Sequence, residues 1–505
     1  MHTDEGGCQP SQTRGYTHRG AVSILLVLPV ALARNSTCCE ALRGAGLAHV
    51  LYPNSTAYEN RTESYWSVSA QLTPYCIVQP TCTSDVVKVV NTLLKGAACS
   101  STKFAVRGGH TTWAGAAKID DGVTVDMGFI KTVTLDKNAS TASIGTGAFV
   151  GVGGFMTGGG NSFFLARQGF ACDNVKNFEM VTANGDIVHA NADENPDLWQ
   201  ALKGGAGANF GILTRYDMYA FRAGNLWGGT ATYNKSTSAE HIAAYVKWTD
   251  NVNKYTAGSN ILIWTYLPSL VDIVILTAYE DTEGNEWPAG FEGFKAIPRI
   301  TDTLRIDSHK GLIAEFEIGY RYRDIWFTMT FANDPEVYTK IVEFNQAFVD
   351  ERKASSDDPD FGTQCMTQSI PTIFSKHSVE KGGNIMGLDK LDHNVVMLLS
   401  NIAVKTAEQE AVARPPLRYY GEKMQDFAAS KGGLIDWVYL NYADWYQDPL
   451  ASYGADNVEK IRTVVRKFDP QGIFQTKAPG GFKISKVGTG SGAGVEERAL
   501  YGDVM

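Results

Sequence analysis

The stretch FAVRGGHTTWAGAA, residues 104–117, opens as an apolar strand and runs through a glycine pair into a histidine and a tryptophan set among small residues. Glycines that follow a strand leave backbone N–H groups open to a ligand, and successive N–H groups form nests that hold anions such as a pyrophosphate. A second cluster, GTGAFVGVGGFMTGGGNSFF (145–164), repeats the device. Neither has the G-x-G-x-x-G or P-loop spacing, so those two phosphate sites are excluded, and tight turns or bulges in a sheet are the competing reading. His110 taken alone reads as a hydrogen-bonded loop histidine.

The flanks supply the elements. CIVQPTCTSDVVKVVNTLLKG (76–96) predicts a strand, a polar break at Thr83-Ser84-Asp85 and a helix whose Val86, Val89, Val90, Leu93 and Leu94 face the core. GVTVDM and KTVTLD predict further strands, and NFEMVTA and DIVHA predict a hairpin about Asn184-Gly185. DENPDLWQALKGG (193–205) predicts a short helix with Pro196 in its first turn. This is an α+β pattern without a regular βαβ repeat. From about 222 to 430 the runs ILIWTYL, VDIVILTAY and IWFTMTF predict a second lobe with an antiparallel sheet. WVYLNYADWYQDP (437–449) reads as a strand, NVEKIRTVVRKFDPQGIF (457–474) as a helix closed by a Pro turn, and the tail from 485 as loose.

A chain of 505 residues, 44% hydrophobic and 20% charged, is long enough for two or three packed lobes. A net charge of −9 supplies no basic footprint for nucleic acid, so a small-molecule ligand is expected. Arg14, His18 and Arg19 precede the apolar run 21–33, which ends in Ala31-Leu32-Ala33. This is the pattern of a secretory signal over residues 1–34, with no membrane association after its removal. Sequons at Asn35, Asn54, Asn60, Asn138 and Asn234 agree with export. Of the seven cysteines after the signal, five fall between 38 and 99, which predicts a disulfide-tied N-terminal lobe; no zinc-ligand spacing occurs, and no metal is expected.

In combination and order, nine motifs resemble the berberine-bridge-enzyme-like flavin oxidases of the p-cresol methylhydroxylase and vanillyl-alcohol oxidase superfamily, most closely their secreted fungal branch. They are SYWSVSAQLTPYCIVQPT, FAVRGGHTTWAGAA, GVGGFMTGGGNSFF, ARQGFACDNV, NPDLWQALKGG, NFGILTRYD, GGNIMGLD, YLNYAD and KFDPQGIF, spread from about Cys38 to Lys483. The resemblance implies a two-lobed α+β fold. A PCMH-type FAD-binding domain would span 35–221, a substrate domain with an antiparallel sheet 222–430, and a C-terminal segment completing the flavin site 431–484. FAD would be attached covalently through His110. Arg107, Gly108 and Gly109 would wrap the pyrophosphate, and the 153–162 loop, with Gly153, Gly154, Gly158, Gly159 and Gly160, would line the dinucleotide together with Asp173 and Asn174. Gly382-Gly383-Asn384 corresponds to the family's substrate-domain element. Asn441 resembles the residue that touches the flavin ring. On a strand, Tyr439 and Asn441 would share one face and Tyr442 the other, and both tyrosines are candidates for the general base.

Two departures accompany the resemblance. Arg107-Gly108-Gly109-His110 is one residue shorter than the family's arginine-to-histidine loop. After TASIGTGA the chain runs through Phe149-Val150 straight into Gly151-Val152-Gly153-Gly154, without the helix and phosphate loop the family inserts there. The cysteine that makes a second flavin bond in some members goes with that piece, which leaves single attachment. The implied activity is hydride transfer from a small alcohol, sugar or secondary metabolite to the flavin, with O2 as acceptor. The alternatives are flavin-dependent oxidative cyclisation in fungal secondary metabolism, and a secreted binding protein that has lost FAD.

Overall fold

A computed structural model describes residues 31–109, 113, 115–148, 151–316, 321–355 and 360–488. His110, most of the expected signal and the tail from 489 lie outside the described residues, as do Phe149 and Val150.

The first sheet orders Val50–Leu51, Cys76–Val78, Val123–Asp126 and Phe104–Arg107, the last three running parallel. The chain therefore contains one βαβ crossover that the absence of a repeat did not suggest. Its helix, Thr83–Lys95, buries Val86, Val89, Val90 and Leu93 as its 3.6-residue periodicity requires. Cys38–Cys99 and Cys39–Cys76 disulfides tie the helix Ala31–Gly44 to this sheet, while Cys172 and Cys365 are buried free thiols.

A second, antiparallel sheet orders Val133–Leu135, Thr141–Gly145, Ile212–Tyr219, Val175–Val181 and Ile187–Asn191. The hairpin about Asn184-Gly185 forms. The Thr182 carbonyl accepts the Gly185 N–H, and Gly185 at φ 83° supplies the left-handed step that lets the strands meet.

The third sheet has nine strands between Leu226 and Ile435, with Arg323–Ala332, Val395–Val404, Gly362–Ile370, Gly258–Tyr266 and Val274–Asp281 at its centre. Its two faces differ in chemistry. Phe327, Met329 and Phe331 point toward helices, with Phe327 packed on Gly421 of the helix Ala407–Ser430. Opposite-strand partners share a face, so Trp326, Asn401 and Gln364 lie together on the other side, as do Thr330, Met397 and Gln368. That polar and aromatic face looks toward the first lobe.

The segment expected as a strand over 437–449 is instead irregular, with a 3-10 turn at Leu440–Tyr442 and another at Ala451–Tyr453. Trp437, Tyr439, Ala443 and Asp444 are all buried. Among the described residues the segment pairs with no strand, so its backbone closes locally, Tyr442 and Ala443 N–H donating to the Tyr439 carbonyl. The following helix, Ala455–Phe468, ends at Asp469, whose carboxylate accepts the N–H groups of Ile473 and Phe474, the physical content of the KFDPQGIF motif.

Candidate flavin and substrate site

The strand Phe104–Arg107 delivers Arg107 and the glycines after it. Arg107 is 2% exposed, and its guanidinium lies 3.7 Å over the Tyr65 ring. It donates to the carbonyls of Arg61 and Ser64 at 2.8 and 3.2 Å and to that of Gly109 at 3.1 Å. Its role is to fold the loop start onto the 61–65 segment. A Cβ on Gly108 would lie 3.7 Å from the backbone of Gly153, so the two glycine clusters meet, as a shared nest for one ligand requires. Gly154 faces open space.

Thr146 N–H donates to the Thr214 carbonyl and Gly147 N–H to that of Ile130, which pins the chain as it leaves the strand Thr141–Gly145. A helix begins at Val152, so only a few residues separate the two elements. Gly158, Gly159 and Gly160 then pack under the C-terminal segment. A Cβ on Gly158 would strike the Asn441 amide, and one on Gly159 would meet Met386 and Tyr439. Gly159 and Gly160 also adopt φ of +114° and +86°, which other residues avoid.

Tyr439 is spent on this loop. Its hydroxyl accepts N–H bonds from Gly160 at 3.1 Å and Asn161 at 3.0 Å, and the Asn441 amide donates to it at 3.3 Å and to the Phe155 carbonyl at 3.1 Å. Burial pushes the Tyr439 phenol well above its usual range despite those three donors. Tyr442 is only half-buried and donates instead to Gln368 Oε1 at 3.1 Å, an oxygen that also accepts the Asn161 amide at 3.2 Å. Burial pushes it up to about 12, and the Gln368 bond opposes the rise. The expected separation of Tyr439 and Tyr442 onto opposite strand faces is corrected. A 3-10 turn has three residues per turn, which eclipses i and i+3, and the two rings touch edge to face at 5.0 Å. Trp326 lies nearly parallel to Tyr442 at 6.4 Å and also contacts Trp66 at 6.0 Å.

Asp173 and Asn174 are turned into a clasp with the Gly382-Gly383-Asn384 element. Asn384 donates to Asp173 at 3.0 Å, and Lys381 Nζ donates to Asn174 Oδ1 at 2.6 Å and to the Gln168 carbonyl at 2.7 Å. The Asn174 amide closes the turn through the Gln168 and Phe170 carbonyls. These residues position the wall between the lobes and keep their polar side-chain atoms within it, as the motif order alone could not show. Gln368 and Trp326 escaped sequence reasoning; the only signal was the alternation of polar residues along otherwise apolar strands. Among the described residues no cluster has the makings of a metal site.

A dinucleotide fits this donor set: glycine backbones from two loops converge, and Lys118 Nζ, which shares the Tyr65 ring with Arg107, is buried with no hydrogen-bond partner. No protein-family model matches the chain. It is 36% identical over 474 aligned positions to the FAD-dependent monooxygenase sdcF of Emericella nidulans, covering 89% of this chain and 98% of the relative. To the FAD-dependent monooxygenase drtC of Aspergillus calidoustus it is 33% identical, covering 89% and 90%. Since 89% of 505 residues is about 449, about 25 of the 474 positions shared with sdcF have no residue here. Its fold is similar to 6-hydroxy-D-nicotine oxidase from Arthrobacter nicotinovorans (TM-score 0.67, 18% identity, 84% of this chain and 96% of that one). A xylooligosaccharide oxidase from Myceliophthora thermophila C1 gives TM-score 0.67 at 20% identity over 87% and 98%. Berberine bridge enzyme from Eschscholzia californica gives 0.64 at 15% over 86% and 97%.

Proposed function

The chain belongs to the family of fungal FAD-dependent monooxygenases and is an FAD-linked oxidoreductase; on that premise we propose that it oxidises a small alcohol, sugar or secondary metabolite, with Tyr442 as the general base. The observation that carries the assignment is the Tyr442 hydroxyl. It is half-buried and bonded to Gln368 across the two lobes, whereas the Tyr439 hydroxyl is held by the backbone of the glycine loop.

The backbone of Gly108, Gly109, Gly153 and Gly154 would hold the dinucleotide, Asn441 and Gly158–Gly160 would line its flavin end, and His110 would be the covalent anchor. Arg107, Asp173 and Asn174 position those loops through their internal bonds. The chemistry that a flavin would supply there is acceptance of a hydride from a substrate carbon and return of the electrons to O2. The chain's own part is to orient and to move a proton. Gln368 and Asn161 hold the substrate hydroxyl against Tyr442, and the proton passes from that hydroxyl to the Tyr442 phenolate oxygen. Trp326 and Trp66 form the flat wall opposite.

The chain is read as secreted, on the two disulfides, the N-terminal signal pattern and exposed sequons at Asn54, Asn60, Asn138 and Asn234. Among the described residues no helix is long and apolar enough to cross a membrane.

The test is colour and stoichiometry. Purified protein should show flavin absorption that stays with the pellet after acid precipitation, and a colourless protein overturns the reading. The likeness to FAD-dependent monooxygenases favours a second outcome for the oxygen. Isotopically labelled O2 separates the two: peroxide release without label in the product marks an oxidase, and label in the product marks a monooxygenase.

A further inference from the structure

We propose that the buried cations around Tyr65 form an oxyanion site, with Lys118 Nζ as its direct donor, taking either a phosphate of the dinucleotide or a carboxylate of the substrate. The inference rests on the cofactor reading above only for the first of these sources.

The loop that begins at Arg107 and ends at Lys118 starts and finishes on the same aromatic ring: Arg107 Cζ lies 3.7 Å and Lys118 Nζ 4.9 Å from the Tyr65 centroid. Lys118 is 1% exposed and its ammonium has no hydrogen-bond partner. Three cations, Arg61, Arg107 and Lys118, gather here with one buried carboxylate, Asp126. That carboxylate is already saturated by Arg61, by the Gln79 amide at 3.1 Å and by the Gly128 N–H at 3.0 Å. Arg107 gives its donors to neutral carbonyls and the Ser64 hydroxyl, and the Tyr65 hydroxyl donates to the Ala117 carbonyl, so neither neutralises Lys118. Glu59 and Asp120, the remaining acidic groups that act on it, are exposed.

A buried charge excess is costly unless an opposite charge joins it. Thr62 Oγ1, on the helix that carries Arg61, is a second buried polar atom without a partner. Burial pulls the Lys118 ammonium down to about 7, with Arg107 adding to the fall, and an arriving oxyanion would reverse both effects. An ammonium suits a single oxygen as a point charge, which fits a phosphate or carboxylate at the end of a glycine loop.

The test measures thermal shifts and dissociation constants of Lys118, Lys118→Met and Lys118→Arg chains, each carrying His110→Ala so that flavin binds reversibly and can be dialysed away, with FAD, riboflavin, inorganic pyrophosphate and benzoate as probes. A phosphate source predicts at least tenfold weaker FAD and pyrophosphate binding in Lys118→Met, unchanged riboflavin binding, and recovery in Lys118→Arg. A carboxylate source predicts the same pattern for benzoate, with FAD untouched. Equal affinities for all probes in the Lys118 and Lys118→Met chains overturn the proposal, and so does a parallel loss of FAD and riboflavin with a lowered Tm, which marks a packing role. If the Lys118 chain binds neither flavin and wild type is colourless, the cofactor reading fails. A pyrophosphate or benzoate response that depends on Lys118 then still supports the oxyanion site, and its absence overturns it.

Discussion

Tyr439 and Tyr442 meet ring to ring at 5.0 Å, yet their hydroxyls serve different lobes, one fixed to the backbone of Gly160 and Asn161 and the other to Gln368 on the large sheet. Removing each oxygen therefore has separable consequences. Tyr442→Phe should lower kcat/KM by about 10²- to 10⁴-fold, the usual worth of a positioned base, with Tm nearly unchanged. Tyr439→Phe should leave the Gly160 and Asn161 N–H groups without an acceptor, at about 1–3 kcal/mol for the buried Gly160 group, and show mainly as a lowered Tm and lost flavin. Retained activity in the Tyr442 variant would falsify the base assignment.

The height of the Tyr442 pKa sets a pH profile. Burial places it at about 12, so the phenolate fraction grows about tenfold per pH unit through the neutral and mildly alkaline range. The expected kcat/KM climbs with pH at a slope near one. Gln368→Leu, which removes the one bond that lowers this pKa, should slow the enzyme at every pH and move the profile to higher pH. A flat profile assigns the proton to another group.

Much of the architecture was legible because it is written in periodicity. The helix Thr83–Lys95, the hairpin at Gly185 and the long strands of the second lobe each follow from local spacing. The C-terminal segment misled because WVYLNYADWYQDP alternates like a strand, whereas its side chains are buried by contacts from sequence-distant parts, Met386, Gln368 and the glycine loop among them. The site was legible where glycines and motif order carried it. Gln368 and Lys118 were invisible, since their importance lies in what the fold leaves them facing, for Gln368 the Asn161 amide 207 residues earlier.

Glu280 gives a stability test independent of catalysis. It is 1% exposed, neither carboxylate oxygen has a partner, and burial, with Glu315 adding, raises it to about 8. A raised carboxyl pKa means that the folded state keeps a proton the unfolded chain gives up near pH 4.5. The stabilisation from neutral Glu280 is complete below that pH and is lost as pH rises toward 8. Glu280→Gln should match wild type in Tm near pH 4.5 and exceed it at pH 8. Parallel Tm–pH curves for the two proteins contradict this account.

Secretion predicts glycans on sites the folded surface can carry. Asn54 and Asn138 stand exposed on turns, Asn138 beside Ala139 at φ 51°. The protein recovered from culture medium should lose mass on treatment with a peptide N-glycosidase, with both asparagines converted to aspartate in the released peptides. An unglycosylated, cell-retained product would sink the secretory reading.

The edge of the five-stranded sheet is bare near the point where the family resemblance expects an inserted helix. Val133 and Leu135, on the edge strand of the five-stranded sheet, are 59% and 62% exposed, and they share a face with Ile144, Met218 and Tyr216. Toward its middle the same face is buried, so the apolar row continues outward with nothing over it. The strand Thr141–Gly145 is also where the chain turns, within a few residues, into the helix at Val152. We predict that the roughly 25 positions absent relative to sdcF fall between Ala148 and Gly151, where an inserted segment would emerge beside this row. Full burial of a Val or Leu side chain gains about 1.5–3 kcal/mol, so grafting the sdcF segment there should raise Tm and abolish binding of an apolar dye. Val133→Thr with Leu135→Thr should reduce dye binding without lowering Tm, because these side chains stabilise nothing where they are. Dye binding that survives the graft would place the bare surface elsewhere.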